Sequence, residues 1–147
     1  VSDPASVESI ADYLIAKSDA ISNLKLQKLL YYAQGWYLGL HSKPLFEARI
    51  EAWVHGPVVP PIFQKYRVYG WKNIPSHNSL PEISAAAAKH IDQVLRAYGR
   101  YTGTQLERLS HSEKPWLDAR NGIPDDVPST AEITKESMRE FFGKRPS

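Results

Sequence analysis

The sequence predicts a mainly α fold of the α+β class: a single compact helical domain with a small β element near residues 49–55. Apolar residues recur at helical spacing in several stretches, and only residues 50–54 alternate with period two. The 147 residues, 42% hydrophobic and 23% charged, suit one core. No repeat or composition break marks a linker. Residues 1–147 therefore read as one domain, with 1–5 and 144–147 as loose ends.

The first helix is capped by Ser6, and Val7, Ile10, Ala11, Leu14 and Ile15 form its apolar stripe. After a turn at 18–23, a second helix carries Leu26, Leu29, Leu30, Ala33, Trp36, Tyr37 and Leu40 on a broad face. That breadth marks it as central. Gly39 and Lys43-Pro44 are expected to close it. In the strand, Ile50, Ala52 and Val54 alternate with Glu51, Trp53 and His55, and Gly56-Pro57 should end it. A lone strand leaves its backbone unpaired, so a partner is required, with 73–74 and 132–133 as candidates.

Pro60 or Pro61 opens the next helix, with Ile62, Phe63 and Tyr66 as its stripe and Gly70 as its stop. A loop at 71–81 leads to a helix at about 84–98. Thr104 and Glu107 fit a capping box ahead of Leu106 and Leu109. Pro115 opens a short turn through Trp116 and Leu117, and 121–129 is a polar loop. A last helix begins at Thr134 and uses Met138, Phe141 and Phe142.

Chemistry is conspicuous by its missing parts. The chain has no cysteine, which excludes disulfides, thiolate metal sites and a Cys nucleophile. His41, His55, His77, His90 and His111 form no HExxH or similar spacing. No GxSxG, SxxK or phosphate-loop pattern occurs, and Asp125-Asp126 read as a solvated turn between prolines. Neither a metal, a cofactor nor an enzymatic activity is expected. The longest uncharged stretch, 29–42, is shorter than the ~18–20 residues of a membrane span, and no signal peptide is visible. No membrane partner is expected, and the location expected is cytoplasmic.

Net charge is +2, with the excess at 51–100, where six basic residues face three acidic ones. That is a weak signal for nucleic acid. Residues 65–72 mix Lys65, Arg67 and Lys72 with Tyr66, Tyr69 and Trp71, as single-strand binders do. A helix end with Tyr66 inward and the cations solvated explains the same residues, and is preferred.

Four Trp and eight Tyr are many for this length. If Leu26, Leu29, Leu30 and Ala33 face the core, Tyr31 and Tyr32 lie partly off that face, since consecutive helical residues are ~100° apart. They form either a second core layer or a recognition surface, where Tyr and Trp concentrate binding energy. Trp53 presents the same choice: a helix covers it, or a partner does.

Several phrases together resemble one family. LKLQKLLYYAQGWYL at 24–38 is similar to the signature helix of the Panacea, or SocA-like antitoxin, domain, also called the GepA-like family of phage-associated proteins. PLF at 44–46 and IEAWVHGPVVP at 50–60 resemble its next segment. Tyr69-Gly70, Leu109-Ser110-His111, Pro115-Trp116 and MREFF at 138–142 resemble the later landmarks. The resemblance implies a bacterial or prophage antitoxin that neutralises a cognate toxin, encoded beside it, by direct protein binding. Its variant is an adaptor that hands the toxin to a protease; the separate alternative, from the residues, is a nucleic-acid-binding module using 65–72. The resemblance implies no catalytic residues. Combined with the aromatic excess, it suggests a partner surface of Tyr32, Trp36, Trp53, His55 and Tyr69.

Overall fold

A computed structural model describes residues 4–76 and 79–145. His77 and the outermost residues of both expected loose ends, 1–3 and 146–147, lie outside the described residues. In chain order the elements are α1 (Val7–Lys17), α2 (Asn23–His41), β1 (Ile50–Trp53), β2 (Gly56–Val58) and α3 (Pro60–Tyr66), which runs into a 3-10 turn (Arg67–Tyr69). Then come α4 (Ala85–Tyr98), α5 (Gly103–His111), α6 (Lys114–Arg120), β3 (Glu132–Ile133) and α7 (Lys135–Gly143). The fold is mainly α, as the periodicity predicts.

The helix starts follow from their caps. Ser6, Ser22, Ser84, Thr102 and Thr134 each accept a hydrogen bond from a backbone N–H of the first turn. The capping box of α5 is formed by Thr102 and Gln105, so Thr104 and Glu107 lie inside the helix instead of opening it.

Helix α2 runs through the middle of the molecule, with α1, α4, α5, α7 and β2 around it. All ten residues from 26 to 35 are buried. Of the two readings of Tyr31 and Tyr32 the core layer holds, since both are 0% exposed, and this removes Tyr32 from the expected partner surface. The one-face rule applies to a helix with a solvent side, and α2 has none over this length. Its buried polar side chains serve neighbouring loops. Gln34 accepts from the Leu45 and Phe46 amides and donates to the Phe46 carbonyl (2.8, 3.3 and 2.7 Å). Gln27 accepts from the Val59 amide (2.9 Å), and the Lys28 ammonium donates to the Pro57 carbonyl (3.0 Å).

Gly39 does not close α2. The helix continues to His41 and ends at Ser42, whose φ is 57°. A Cβ on Gly39 would stand 2.7 Å from the Phe142 carbonyl carbon, so glycine is there to let α7 lie against the helix. Leu40, expected on the apolar face, is half exposed.

Gly56-Pro57 does not end the β element either. Val54 and His55 make a two-residue turn, and Gly56, at φ 101°, starts β2. The sheet order is β2-β1-β3, antiparallel throughout, with Ala52 opposite Pro57 and Ile50 opposite Ile133. Of the two candidate partners, 132–133 pairs with β1 as expected. Asn73 instead bridges Ser22, and the Ile74 amide donates to Ile21, so that segment joins the α1–α2 link. Within the expected loose N-terminus, the Ala5 amide donates to the Leu45 carbonyl (2.9 Å). Arg120 of α6 is 1% exposed and donates to the Ala52 and Pro124 carbonyls, which ties the sheet to the 121–129 loop.

A buried carboxylate sits where α2 meets the start of α6. Glu113 Oε1 accepts from both the Tyr31 and Tyr32 hydroxyls (3.0 and 3.1 Å). Burial pushes Glu113 up to about 7, although the two tyrosine hydrogen bonds and the Arg145 charge pull the other way. Tyr32 also stacks on Tyr98 at 4.2 Å, and the Tyr98 hydroxyl accepts from the Trp36 indole (2.8 Å).

Two stability experiments test these points. Gly39→Ala is expected to destabilise by about 1–3 kcal/mol in urea titration, because the added methyl overpacks the α2–α7 contact. A free helical position would instead gain up to about 1 kcal/mol from the same change. For Glu113, the folded chain holds the proton more tightly than the unfolded chain. Its contribution is therefore full below the unfolded value of about 4.5 and is lost as pH rises through about 7, a loss on the order of 3 kcal/mol. Glu113→Gln keeps the acceptor oxygen without the charge. It is expected to match the wild type near pH 4 and exceed it above pH 7; parallel stability–pH curves would refute this.

Candidate functional site

Beside the N-terminal half of α2 the surface folds in to form a cleft of about 680 Å³. Its floor is Gln27 and Lys28 of α2, with Val58 of β2. One wall is the hairpin, with Trp53 and His55. The other is α3 and the turn after it, with Phe63, Arg67 and Trp71; Glu107 of α5 and the 128–130 loop complete it. Each wall is held from behind. The Trp53 indole donates to Glu51 (2.8 Å), and its ring meets Phe63 edge-on at 5.1 Å. The Trp53 carbonyl accepts from the Trp116 indole (2.8 Å). The α3 wall is fixed by Asn23, which donates to the Phe63 carbonyl (3.1 Å), and by the Tyr66 hydroxyl, which donates to Asp12 (3.2 Å).

The lining is mostly apolar with few charges. His55 Nδ1 lies 3.0 Å from Glu107 Oε2, while Arg67 is exposed. Lys28 is fully buried, and burial lowers it to about 7 against the opposing effect of the Glu107 charge. Trp71 of the wall is 86% exposed, and Val68, in the turn between the lining residues Arg67 and Gly70, is 83% exposed.

The five residues expected to form one partner surface do not do so. Trp53 and His55 come together in the cleft. Tyr69 lies in the turn beside it, its ring facing Tyr66 at 6.4 Å. Trp36 lines a separate groove of about 600 Å³ between α2 and α4, with Leu40 and Val94. Tyr32 is core and offers no surface, for the reason given for α2. For Trp53, Phe63 of α3 covers part of the ring, as the helix alternative expects, and the residue also lines the cleft.

Trp71 is a wall residue, and Val68 an exposed neighbour of the wall, that sequence reasoning did not place in the partner surface. Their signal was the aromatic and basic stretch 65–72, read as a helix end. That reading is right for Tyr66, which is buried, and for Lys65, Arg67 and Lys72, which are exposed. It did not anticipate that the turn after the helix stop would hold Trp71 out at the cleft.

Among the described residues, no three or more His, Asp or Glu side chains are grouped to hold a metal ion. His111 stacks on Trp116 at 4.1 Å, and His90 Nε2 lies 2.8 Å from the Ala33 carbonyl; both are shifted downward, chiefly by burial. Among the described residues, no helix is long and apolar enough to cross a membrane. The arrangement is a concave apolar face with exposed aromatic anchors, suited to holding another molecule.

The profile of the family described as Antitoxin SocA-like, Panacea domain, matches residues 26–117, from the buried run of α2 into α6. Antitoxin SocA of Caulobacter vibrioides is 34% identical over 159 aligned residues, which cover 95% of this chain and 85% of the relative. No solved structure matches the chain.

Proposed function

The chain belongs to the SocA-like antitoxin family that carries the Panacea domain, and from that premise we propose that it neutralises a cognate toxin by binding it directly at the Trp53–Trp71 cleft. The observation that carries this reading is the exposure of Trp71 and Val68 beside an apolar cleft. Such groups gain little from folding in that position, and Trp is enriched among the anchors of protein interfaces. Trp53 and His55 supply the opposite wall, and Tyr69 extends the face past the turn. The chain acts by contact, without a cofactor and without chemistry on its partner, and meets the toxin in the cytoplasm. Delivery of the bound toxin to a protease would use the same face.

The product of the neighbouring reading frame is the partner to test. Trp71→Ala is expected to keep its melting temperature, since the ring is 86% exposed. It is expected to weaken toxin binding by at least ~2 kcal/mol, about thirtyfold, and to lose rescue of toxin-expressing cells. Tyr32→Ala is expected to lose stability and binding together. Normal binding by folded Trp71→Ala and Trp53→Ala variants would remove the cleft from this role. A wild-type chain that fails to bind its neighbour's product would overturn the antitoxin mechanism proposed here.

A further inference from the structure

The floor of the cleft holds an amine with spare hydrogen-bonding capacity. An ammonium has three N–H donors. Among the described residues, Lys28 Nζ donates to one acceptor, the Pro57 carbonyl at 3.0 Å, and no carboxylate lies within ion-pair distance of it. A fully buried charge held this way is unfavourable unless a counter-charge reaches it. The drop to about 7 is the mark of that burial and divides the amine between its charged and neutral forms near neutral pH.

The groups that face Lys28 do not settle its charge. From α5 come Glu107 and His111, and from the hairpin turn comes His55. Glu107 is the one carboxylate of the lining, and it already meets His55 at 3.0 Å. Arg67 adds a second strong cation across the cleft. The lining therefore carries more positive than negative charge, set among apolar walls.

Building on the docking reading above, we propose that the partner segment seated in this cleft is apolar and carries an acidic side chain, whose carboxylate pairs with Lys28 while Arg67 flanks it. Lys28 lines the cleft, and the pairing proposed here requires Nζ to turn toward the ligand about the last bonds of its stem. An acidic side chain is the source because the apolar walls call for an uninterrupted chain passing over the floor, with the charge reaching down from it. The pair forms only with the ammonium, so a proton is taken up when the carboxylate binds. Binding is tighter below pH 7 than above it.

The test uses the full chain and the capped peptide Ac-Trp-Glu-Leu-NH2 against its neutral counterpart Ac-Trp-Gln-Leu-NH2. NMR follows the indole N–H signals of Trp53 and Trp71 and the Cε signal of Lys28. The acidic peptide is expected to bind about tenfold more tightly at pH 6, with the advantage fading by pH 9. It is also expected to raise the Lys28 titration midpoint. Lys28→Met should bind both peptides equally; if that variant does not fold, the Lys28 titration of the wild type decides. Equal binding of the two peptides, or an unmoved Lys28 midpoint, would overturn the proposal. So would binding of Ac-Trp-Gln-Leu-OH as tight as that of the acidic peptide, which would assign the site to a chain terminus. If Trp71→Ala abolishes toxin binding while the peptides are not discriminated, the docking reading stands and this one fails. If the peptides are discriminated but Trp71→Ala binds toxin normally, the docking reading fails, and the protein partner proposed here fails with it.

Discussion

A helix with no solvent side must satisfy every polar group it carries from within, and α2 is such a helix from residue 26 to 35. Leucines alone would fill that space. Instead Gln27, Lys28 and Gln34 lie in it, and each ends on the backbone of a segment that follows α2 in the chain. Gln34 binds the 45–46 segment with both ends of its amide. Gln27 and Lys28 hold the end of β2. Irregular backbone next to a core would otherwise leave amides and carbonyls unpaired, at about 1–3 kcal/mol each. The hairpin and α3 therefore take their positions from α2, and with them the two walls of the cleft.

The opposite side of α2 is closed by a different device. Phe142 of α7 lies against Tyr31, Tyr32 and Trp36, with ring centroids 5.3–6.1 Å apart. That approach requires Gly39, where a side chain would meet the α7 backbone. The same face contains Glu113, fixed by two tyrosine hydroxyls. A carboxylate there opposes the stability of the charged state, yet it orders both phenol groups at the junction of α2 and α6. Polar groups thus organise α2 on both sides: amides and an amine toward the cleft, a carboxylate toward α7.

Much of this was legible in the sequence, and what was not has identifiable causes. Helix identities followed from apolar spacing and caps, and the 132–133 strand from the demand of β1 for a partner. Tyr31 and Tyr32 were left between core and surface because spacing reports one buried face and is silent when all faces are covered. Gly39 and Gly56 misled because glycine marks stops, close contacts and left-handed turns alike, and only the neighbours in space say which. The cleft itself assembles α2, the hairpin, α3, α5 and the 128–130 loop, which no local window contains. Trp53 and His55 were found because they share a strand and its turn. Trp71 was noticed within the 65–72 stretch but left out of the partner surface, because its place at the cleft depends on what surrounds it.

The cleft separates two kinds of residue that differ in what a substitution does. Floor residues Gln27 and Lys28 bind backbone, so changing them disturbs the hairpin before it alters any partner contact. Trp71 and Val68 are highly exposed, and His55 pairs with the partly exposed Glu107. Changing them leaves the interior as it is. A face built this way can alter what it binds at the rim while the floor keeps the walls in register. Lys28 is a floor residue with capacity to spare, since it fixes the Pro57 carbonyl with one hydrogen and has others to offer. It is the point at which the requirement of a buried helix for internal partners meets the chemistry that a docked molecule can supply.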